Sequence, residues 1–251
     1  MTILAGTSLA ASAERGVVAL TSGRTLPGRP FAPGPEAELG NDVHGLVESI
    51  TGARAKGVLL IRELPGPFGI ADYTAVIPNR VAIAARLNSP IAPLLLEAEA
   101  AVAAVTPFSR PWSSQTIARR LDWPVGVVEE RLRGLRRIGA VIGSSNTGWV
   151  RHEALQPIGR LHVIEVKVRD WRRATDQAYT YASWADSVSI LLGQLPSGGI
   201  PTGIPPWIGC AADKTWRRRP VLRRHTPARR LWASEHVIAA VVGHHQPSAA
   251  M

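Results

Sequence analysis

The hydrophobic pattern of the sequence changes twice along the chain, and these changes limit the folds that the chain can adopt. Up to Asn79, and again after Arg151, short apolar runs bounded by Gly, Pro and Asn are typical of β-strands. Between them, residues 89–152 carry apolar side chains mostly at helical spacing. A strand-forming sequence interrupted by a helical one predicts a sheet domain into which a second unit is inserted.

The helical stretch has an order of its own. We expect helices over residues 89–105, 113–121 and 125–138, followed by a β-hairpin over residues 139–151. This order resembles a winged helix-turn-helix. The resemblance implies that the 125–138 helix enters a major groove and that Asn146, in the hairpin, contacts the nucleic-acid backbone. A winged helix that serves only for protein contacts or packing is the alternative.

The predicted organisation has four segments. They are a flexible N-terminal arm over residues 1–40, the first part of the sheet domain over 41–86, the inserted unit over 87–155 and the second part of the sheet domain over 156–251. Gly, Pro and Arg dominate most of the arm, in which we expect one short strand over residues 16–20. The first helix of the sheet domain should begin at Asn41 or Asp42, both of which suit an N-cap.

The chain is strongly basic, with a formal net charge of +10, so we expect a polyanionic partner and nucleic acid first. Only three of the 29 basic residues are Lys, and so heavy a use of Arg can also reflect the codon composition of a GC-rich genome. Seven arginines fall within residues 217–230, where a solvated charge run is an equal alternative. The candidate nucleic-acid contacts are Arg131, Arg133, Arg136, Arg137, Asn146, Arg217, Arg218, Arg219, Arg223 and Arg224.

A single cysteine, Cys210, excludes an intramolecular disulfide and a cysteine-based zinc site. This usage predicts a reducing compartment, the cytoplasm. The first 13 residues lack the basic start of a signal peptide, and the most apolar helical run, residues 91–105, is too short to span a bilayer. We therefore expect no membrane partner.

The stretch Glu165-Val166-Lys167 is the strongest indication of chemistry. Glu165 and Lys167 lie two apart in a predicted strand, so their side chains share one face of the sheet. A carboxylate there can bind a divalent metal, while the neighbouring ammonium can orient a water or stabilise charge on a phosphate. Alone, the same pattern is also typical of an edge strand with a surface ion pair.

Three other segments carry candidate partners for this strand. Asp72 interrupts an apolar strand of a predicted hairpin, where it is either an edge residue in water or a metal ligand. Glu48 lies beside the apolar stripe of the first predicted helix. Gln177 and Tyr181 lie four apart on a predicted helix and so share one of its faces.

The order of these segments resembles the PD-(D/E)XK, or restriction-endonuclease-like, nuclease superfamily. The resemblance implies an α/β fold with a mixed sheet flanked by helices, here with an inserted α+β winged-helix domain. Two departures stand out. Ala71 replaces the Pro that often precedes the first acid, and the distance from Asp72 to Glu165 is long, which the inserted unit accounts for.

The resemblance also implies the roles of the site residues. Asp72, Glu165 and the backbone carbonyl of Val166 would bind Mg²⁺ or Mn²⁺. Lys167 would lie beside the attacking water. Glu48 would be the acid that the first helix of such nucleases often contributes. Gln177 and Tyr181 match the Gln-x-x-x-Tyr element of RecB-like nucleases. The catalytic candidates are thus Asp72, Glu165, Lys167, Glu48, Gln177 and Tyr181.

These observations predict Mg²⁺-dependent hydrolysis of phosphodiester bonds, above all in DNA. A catalytically inactive nuclease fold that serves as a DNA-binding regulator or sensor is one alternative, and a protein-interaction adaptor is another. The choice between DNA and RNA, and the formation of a homodimer, stay open.

Overall fold

The computed structural model describes residues 17–21 and 35–245 of the 251-residue chain. Within these ranges the strands are β1 (Val17–Thr21), β2 (Val58–Pro65), β3 (Ile70–Pro78), β4 (Val141–Ser144), β5 (Gly148–Arg151), β6 (Gly159–Lys167), β7 (Ser187–Leu192), β8 (Gly209–Ala212) and β9 (Thr215–Arg218). The helices are α1 (Pro35–Glu48), α2 (Ala53–Lys56), α3 (Arg80–Leu87), α4 (Glu97–Val105), α5 (Ser114–Leu121), α6 (Val125–Arg137), α7 (Trp171–Tyr181) and α8 (Pro227–His245). None of the helices in the described ranges combines the length and the hydropathy that a membrane span needs.

The main sheet is mixed and has seven strands, in the order β1-β2-β3-β6-β7-β8-β9. β2, β3 and β6 pair antiparallel, whereas β6, β7 and β8 pair parallel. At the two edges, β1 runs parallel to β2 and β9 runs antiparallel to β8. The predicted α/β class, a mixed sheet flanked by helices, is confirmed.

The alternation of side chains along the strands divides the core of the sheet domain into two layers. On one face, Val76, Leu161 and Val163 pack with apolar residues of α7 and α8. On the other face, Ala75 and Ile164 pack with α1 and α2. Because neighbouring residues of a strand point to opposite faces, a strand position also decides which helices its side chain meets.

The middle of the chain forms three helices followed by a hairpin, in the predicted order α4, α5, α6, β4 and β5. Its buried core includes Ile117 and Leu132. Trp149 is buried in the same core, and its indole N–H donates to Ser114 Oγ at 3.1 Å. Leu231 of α8 also belongs to this core, so the middle unit packs directly on the last helix.

A buried ion pair links α3, the segment that follows it and α8. The Arg86 guanidinium donates to both carboxylate oxygens of Glu235, at 2.9 and 2.7 Å. It also donates to the carbonyls of Ile91 and Ala92, and Glu235 accepts from the backbone N–H of Leu94 at 2.9 Å. The side chains of Arg86 and Glu235 are 2% and 0% exposed. Their charges are satisfied by bidentate, charge-assisted hydrogen bonds, which are of the strong kind.

The predicted helix over residues 89–105 begins in fact at Glu97. Pro90 and Pro93 explain the difference, because proline lacks a backbone N–H and its ring clashes with the preceding helical turn. Three elements were not predicted, α2, α3 and β9. The start of α3 is capped by Asn79, whose side chain accepts from the backbone N–H of Ala82 at 3.3 Å.

The region predicted as an N-terminal arm contains regular structure. β1 confirms the short strand expected over residues 16–20, and it adds an edge strand to the main sheet. α1 begins at Pro35, so Asn41 and Asp42 lie inside this helix and the predicted N-cap there is wrong. The rest of the predicted arm, residues 1–16 and 22–34, lies outside the described residues.

Candidate active site

Two strands part at the place where the candidate carboxylates lie. The antiparallel pairing of β3 with β6 ends at Tyr73 opposite Ile164. If this pairing continued by one more residue, Asp72 would lie opposite Glu165. There the backbone N–H of Val166 donates instead to the Asp72 carboxylate, at 2.9 Å. The side chain of Asp72 thus replaces a backbone partner and lies beside Glu165.

Both carboxylates belong to the same face of the sheet. Asp72 precedes Thr74 by two residues and Glu165 follows Val163 by two, and Thr74 pairs directly with Val163. Val163 belongs to the layer that packs against α7 and α8. The structure therefore brings the two predicted acids together on the α7 side, although the middle unit separates them in the sequence.

The ammonium group of Lys167 lies among three oxygen atoms. Its Nζ is 2.7 Å from Glu165 Oε1 and 3.4 Å from Asp72 Oδ2. It also donates to the carbonyl oxygen of Val166 at 2.8 Å. One carboxylate from each of two strands and one backbone carbonyl thus surround a single cation, with oxygen atoms of the type that hard divalent ions prefer.

Glu165 is fully buried, and neither of its carboxylate oxygens accepts a well-aligned hydrogen bond from the described part of the chain. Burial, and then the negative charge of Asp72, raise the pKa of Glu165 to about 7 against the opposing effect of Lys167. A buried carboxylate is costly unless cations or donors satisfy it. The Lys167 ammonium lowers this cost only in part, so the site favours further positive charge.

Replacing Glu165 by Gln should increase stability at alkaline pH. A pKa raised in the folded state means that the contribution of Glu165 to stability is full below the unfolded value near 4.5 and is lost as pH rises through about 7. We expect Glu165→Gln to exceed the wild type at about pH 8 by up to about 3 kcal/mol, and to match it near about pH 4. Denaturant unfolding at both pH values measures this, and an equal difference at both would contradict it.

The helix α7 closes the site from one side. The Tyr181 hydroxyl donates to the carbonyl of Ile70 at 2.7 Å, which ties α7 to the start of β3. Burial raises the pKa of Tyr181, and the negative charges of Glu165 and Asp72 raise it further, while a hydrogen bond with Gln177 lowers it. The Gln177 carbonyl oxygen is buried and has no hydrogen-bond partner among the described residues. The face of α7 that carries Gln177 and Tyr181, as predicted, therefore lies against the carboxylates of Asp72 and Glu165.

Glu48 does not join this set. α1 packs on the opposite face of the sheet, in the layer that contains Ile164. Its approach to the ends of the central strands is made by Leu39, whose side chain lies against Gly193, directly after β7. Glu48 is exposed and lies nine residues further along the helix, about 13 Å away at 1.5 Å per residue.

The arginines of the middle unit lie on its surface. Arg133, Arg136 and Arg137 are exposed on α6, and Arg131 is half-buried there. Asn146 is exposed in the turn between β4 and β5. These side chains are thus accessible to a partner, as the predicted role requires.

The arginines that follow β8 are arranged differently from a solvated run. Arg218 points inward and donates to the carbonyls of Ile204, Pro205 and Ile208, so it holds the loop before β8 in place. The other candidate arginines of this stretch lie nearer the surface. Arg217 pairs with Asp213 at 2.9 Å, and Arg219 donates to the Ser49 carbonyl at 2.8 Å. The Arg223 guanidinium lies 4.4 Å from the centre of the Trp207 ring, and Arg224 is exposed. Arg218 therefore has a structural role that the sequence did not indicate.

No group of three or more His, Cys, Asp or Glu side chains that could bind a metal occurs among residues 17–21 and 35–245. A metal at the candidate site would therefore depend on two carboxylates and a backbone carbonyl.

Comparison with known proteins assigns no family. No family model matches the chain, and neither a curated protein nor a solved structure matches it significantly.

Proposed function

We propose that the protein is a metal-dependent nuclease of the restriction-endonuclease-like type, which hydrolyses phosphodiester bonds, above all in DNA. The observation that carries this proposal is the convergence of Asp72, Glu165 and the Val166 carbonyl on the Lys167 ammonium, where β3 and β6 part. A surface ion pair on an edge strand would need neither a central strand nor a buried carboxylate. β6 is a central strand and Glu165 is fully buried.

The residues present fit a divalent cation. Both oxygens of Glu165 are buried, with Lys167 Nζ 2.7 Å from Oε1, and Asp72 is 21% exposed, which leaves a route from solvent. Asp72, Glu165 and the Val166 carbonyl would hold Mg²⁺ or Mn²⁺. Such an ion, when bound, lowers the pKa of a bound water and neutralises charge on a phosphate.

The protein's own groups would complete the chemistry. The Lys167 ammonium is positively charged and a hydrogen-bond donor, so it can position the attacking water or stabilise charge that develops on the phosphate. Tyr181 is protonated at neutral pH, and burial and the nearby carboxylates raise its pKa further above neutrality. Its hydroxyl fixes α7 to the start of β3 and so shapes one wall of the site.

The middle unit would bind the substrate as a winged helix. Its helix order and hairpin support this, and so do the exposed arginines of α6, which can contact base edges or phosphates. Two acidic residues, Glu129 and Glu130, precede these arginines on the same helix. Like charge would repel phosphates there, so the arginine-bearing C-terminal half of α6 is the part that we expect to approach the nucleic acid.

Incubation with plasmid DNA, linear DNA and RNA in Mg²⁺, Mn²⁺ or EDTA tests the proposal. We expect cleavage of DNA with Mg²⁺ or Mn²⁺ and none with EDTA. Nicking of a closed plasmid would indicate an endonuclease, whereas loss of linear DNA alone would indicate an exonuclease. Binding of DNA without cleavage in either metal would contradict the nuclease and support the regulator on an inactive nuclease fold.

A further inference from the structure

A second basic site lies where the chain passes between the sheet domain and the middle unit. A surface cavity of about 330 Å³ is lined there by Lys56, Asn79, Gln156, Arg160 and Arg230, together with the backbone at the end of β3 and the start of β6. We call it the junction pocket. Both passages of the chain border it, because Asn79 follows β3 and Gln156 precedes β6.

The described polar residues that line the junction pocket are cationic or neutral, and none of them is a carboxylate. Arg230 is fixed in place by Asp186, at 3.5 Å, and by a hydrogen bond to the Gly159 carbonyl at 3.2 Å. Among the described residues, no carboxylate lies within ion-pair distance of Lys56 or Arg160. Two cations without a counter-charge thus border one cavity, which favours an anion.

The lining also limits what kind of anion fits. None of the described residues that line the junction pocket is aromatic, so a nucleobase would find no ring to stack on among them. A phosphate needs only cations and N–H donors, which the pocket supplies. Arg160 lies five residues before Glu165 on β6, about 17 Å away along the strand. An occupant would therefore be remote from the candidate active site.

We propose that the junction pocket binds a backbone phosphate of the nucleic acid, at a distance from the bond that is cut. The inference rests on the proposed function in that it takes nucleic acid as the partner. It assigns a binding role to Lys56, Arg160 and Arg230, which come from three separate parts of the chain. A phosphate bound there would touch both passages between the sheet domain and the middle unit, and so would orient the two parts on one substrate.

The test is fluorescence anisotropy with labelled duplex DNA in EDTA across a salt series, which requires no cleavage. Each phosphate contact contributes about 0.9 to the slope of log affinity against log salt. Since the pocket binds one phosphate, we expect Lys56→Gln/Arg160→Gln to lower this slope by about one and to weaken binding about 10-fold at about 0.1 M salt.

The matched control is Arg54→Gln, which removes one exposed charge from the same short helix as Lys56 but does not line the pocket. It should keep the wild-type slope, whereas Lys56→Gln alone should lower it by up to about one. A double variant with wild-type slope and affinity would overturn the proposal, as would a wild type that binds no nucleic acid. The proposal would also be overturned if millimolar inorganic phosphate competed with DNA while the double variant bound DNA with unchanged affinity. A wild type that binds through this pocket but never cleaves would refute only the nuclease.

Discussion

Lys167→Ala and Glu165→Gln should each lower the rate of DNA cleavage by at least about 10²-fold, the usual loss when one charge-stabilising group is removed from a preorganised site. In Lys167→Ala the site loses its ammonium, which lies 2.7 Å from Glu165 and 3.4 Å from Asp72. In Glu165→Gln it loses one of two carboxylates. Single-turnover cleavage of labelled DNA, with Mg²⁺ or Mn²⁺ in excess, measures both losses.

The structure offers a matched control for the second variant. Glu48→Gln makes the same chemical change at an exposed residue, on a helix that packs on the opposite face of the sheet. It should retain wild-type activity. Equal losses for Glu48→Gln and Glu165→Gln would show that the site is not the set described above.

DNA binding separates chemistry from affinity in these variants. The exposed arginines of α6 belong to the middle unit and are not among the site residues, so the active-site variants should bind DNA in EDTA about as tightly as the wild type. A variant that lost cleavage and binding together would point to a folding defect or to a role of Lys167 in holding the nucleic acid.

Glu235→Ala should lower the free energy of unfolding by about 3–5 kcal/mol, because it leaves the buried guanidinium of Arg86 without its carboxylate. The backbone N–H of Leu94 would also lose its acceptor. Since these groups join α3, the following segment and α8, the loss should destabilise the contact between the sheet domain and the middle unit. Urea unfolding followed by circular dichroism measures the change.

Two comparisons show whether burial is the cause. Glu97→Ala breaks the ion pair with Arg229 at 2.9 Å, whose side chains are 50% and 32% exposed, and should cost no more than about 1 kcal/mol. Arg86→Met/Glu235→Leu removes both charges and should be more stable than Glu235→Ala, because no buried charge is then left unpaired. A Glu235→Ala protein as stable as Glu97→Ala would contradict the account.

Local pattern was sufficient for most of the secondary structure. The buried run over residues 187–192 and the helix that follows Ser113 lie where the sequence indicates, since side-chain period and capping act over a few residues. Local pattern also placed Glu165 and Lys167 on one strand face, because strand geometry alone determines this. It failed over residues 89–96, where prolines outweigh the helical spacing of the apolar residues.

Only the tertiary structure decided which distant residues meet. The pairing of β3 with β6 places Asp72 beside Glu165, and the face on which α1 packs separates Glu48 from both. The ion pair of Arg86 with Glu235 and the lining of the junction pocket likewise join segments far apart in the chain. No local spacing can indicate such contacts, because they depend on strand order and on which face each helix covers. Those are set by the burial of apolar surface over the whole domain, which no short stretch of sequence determines.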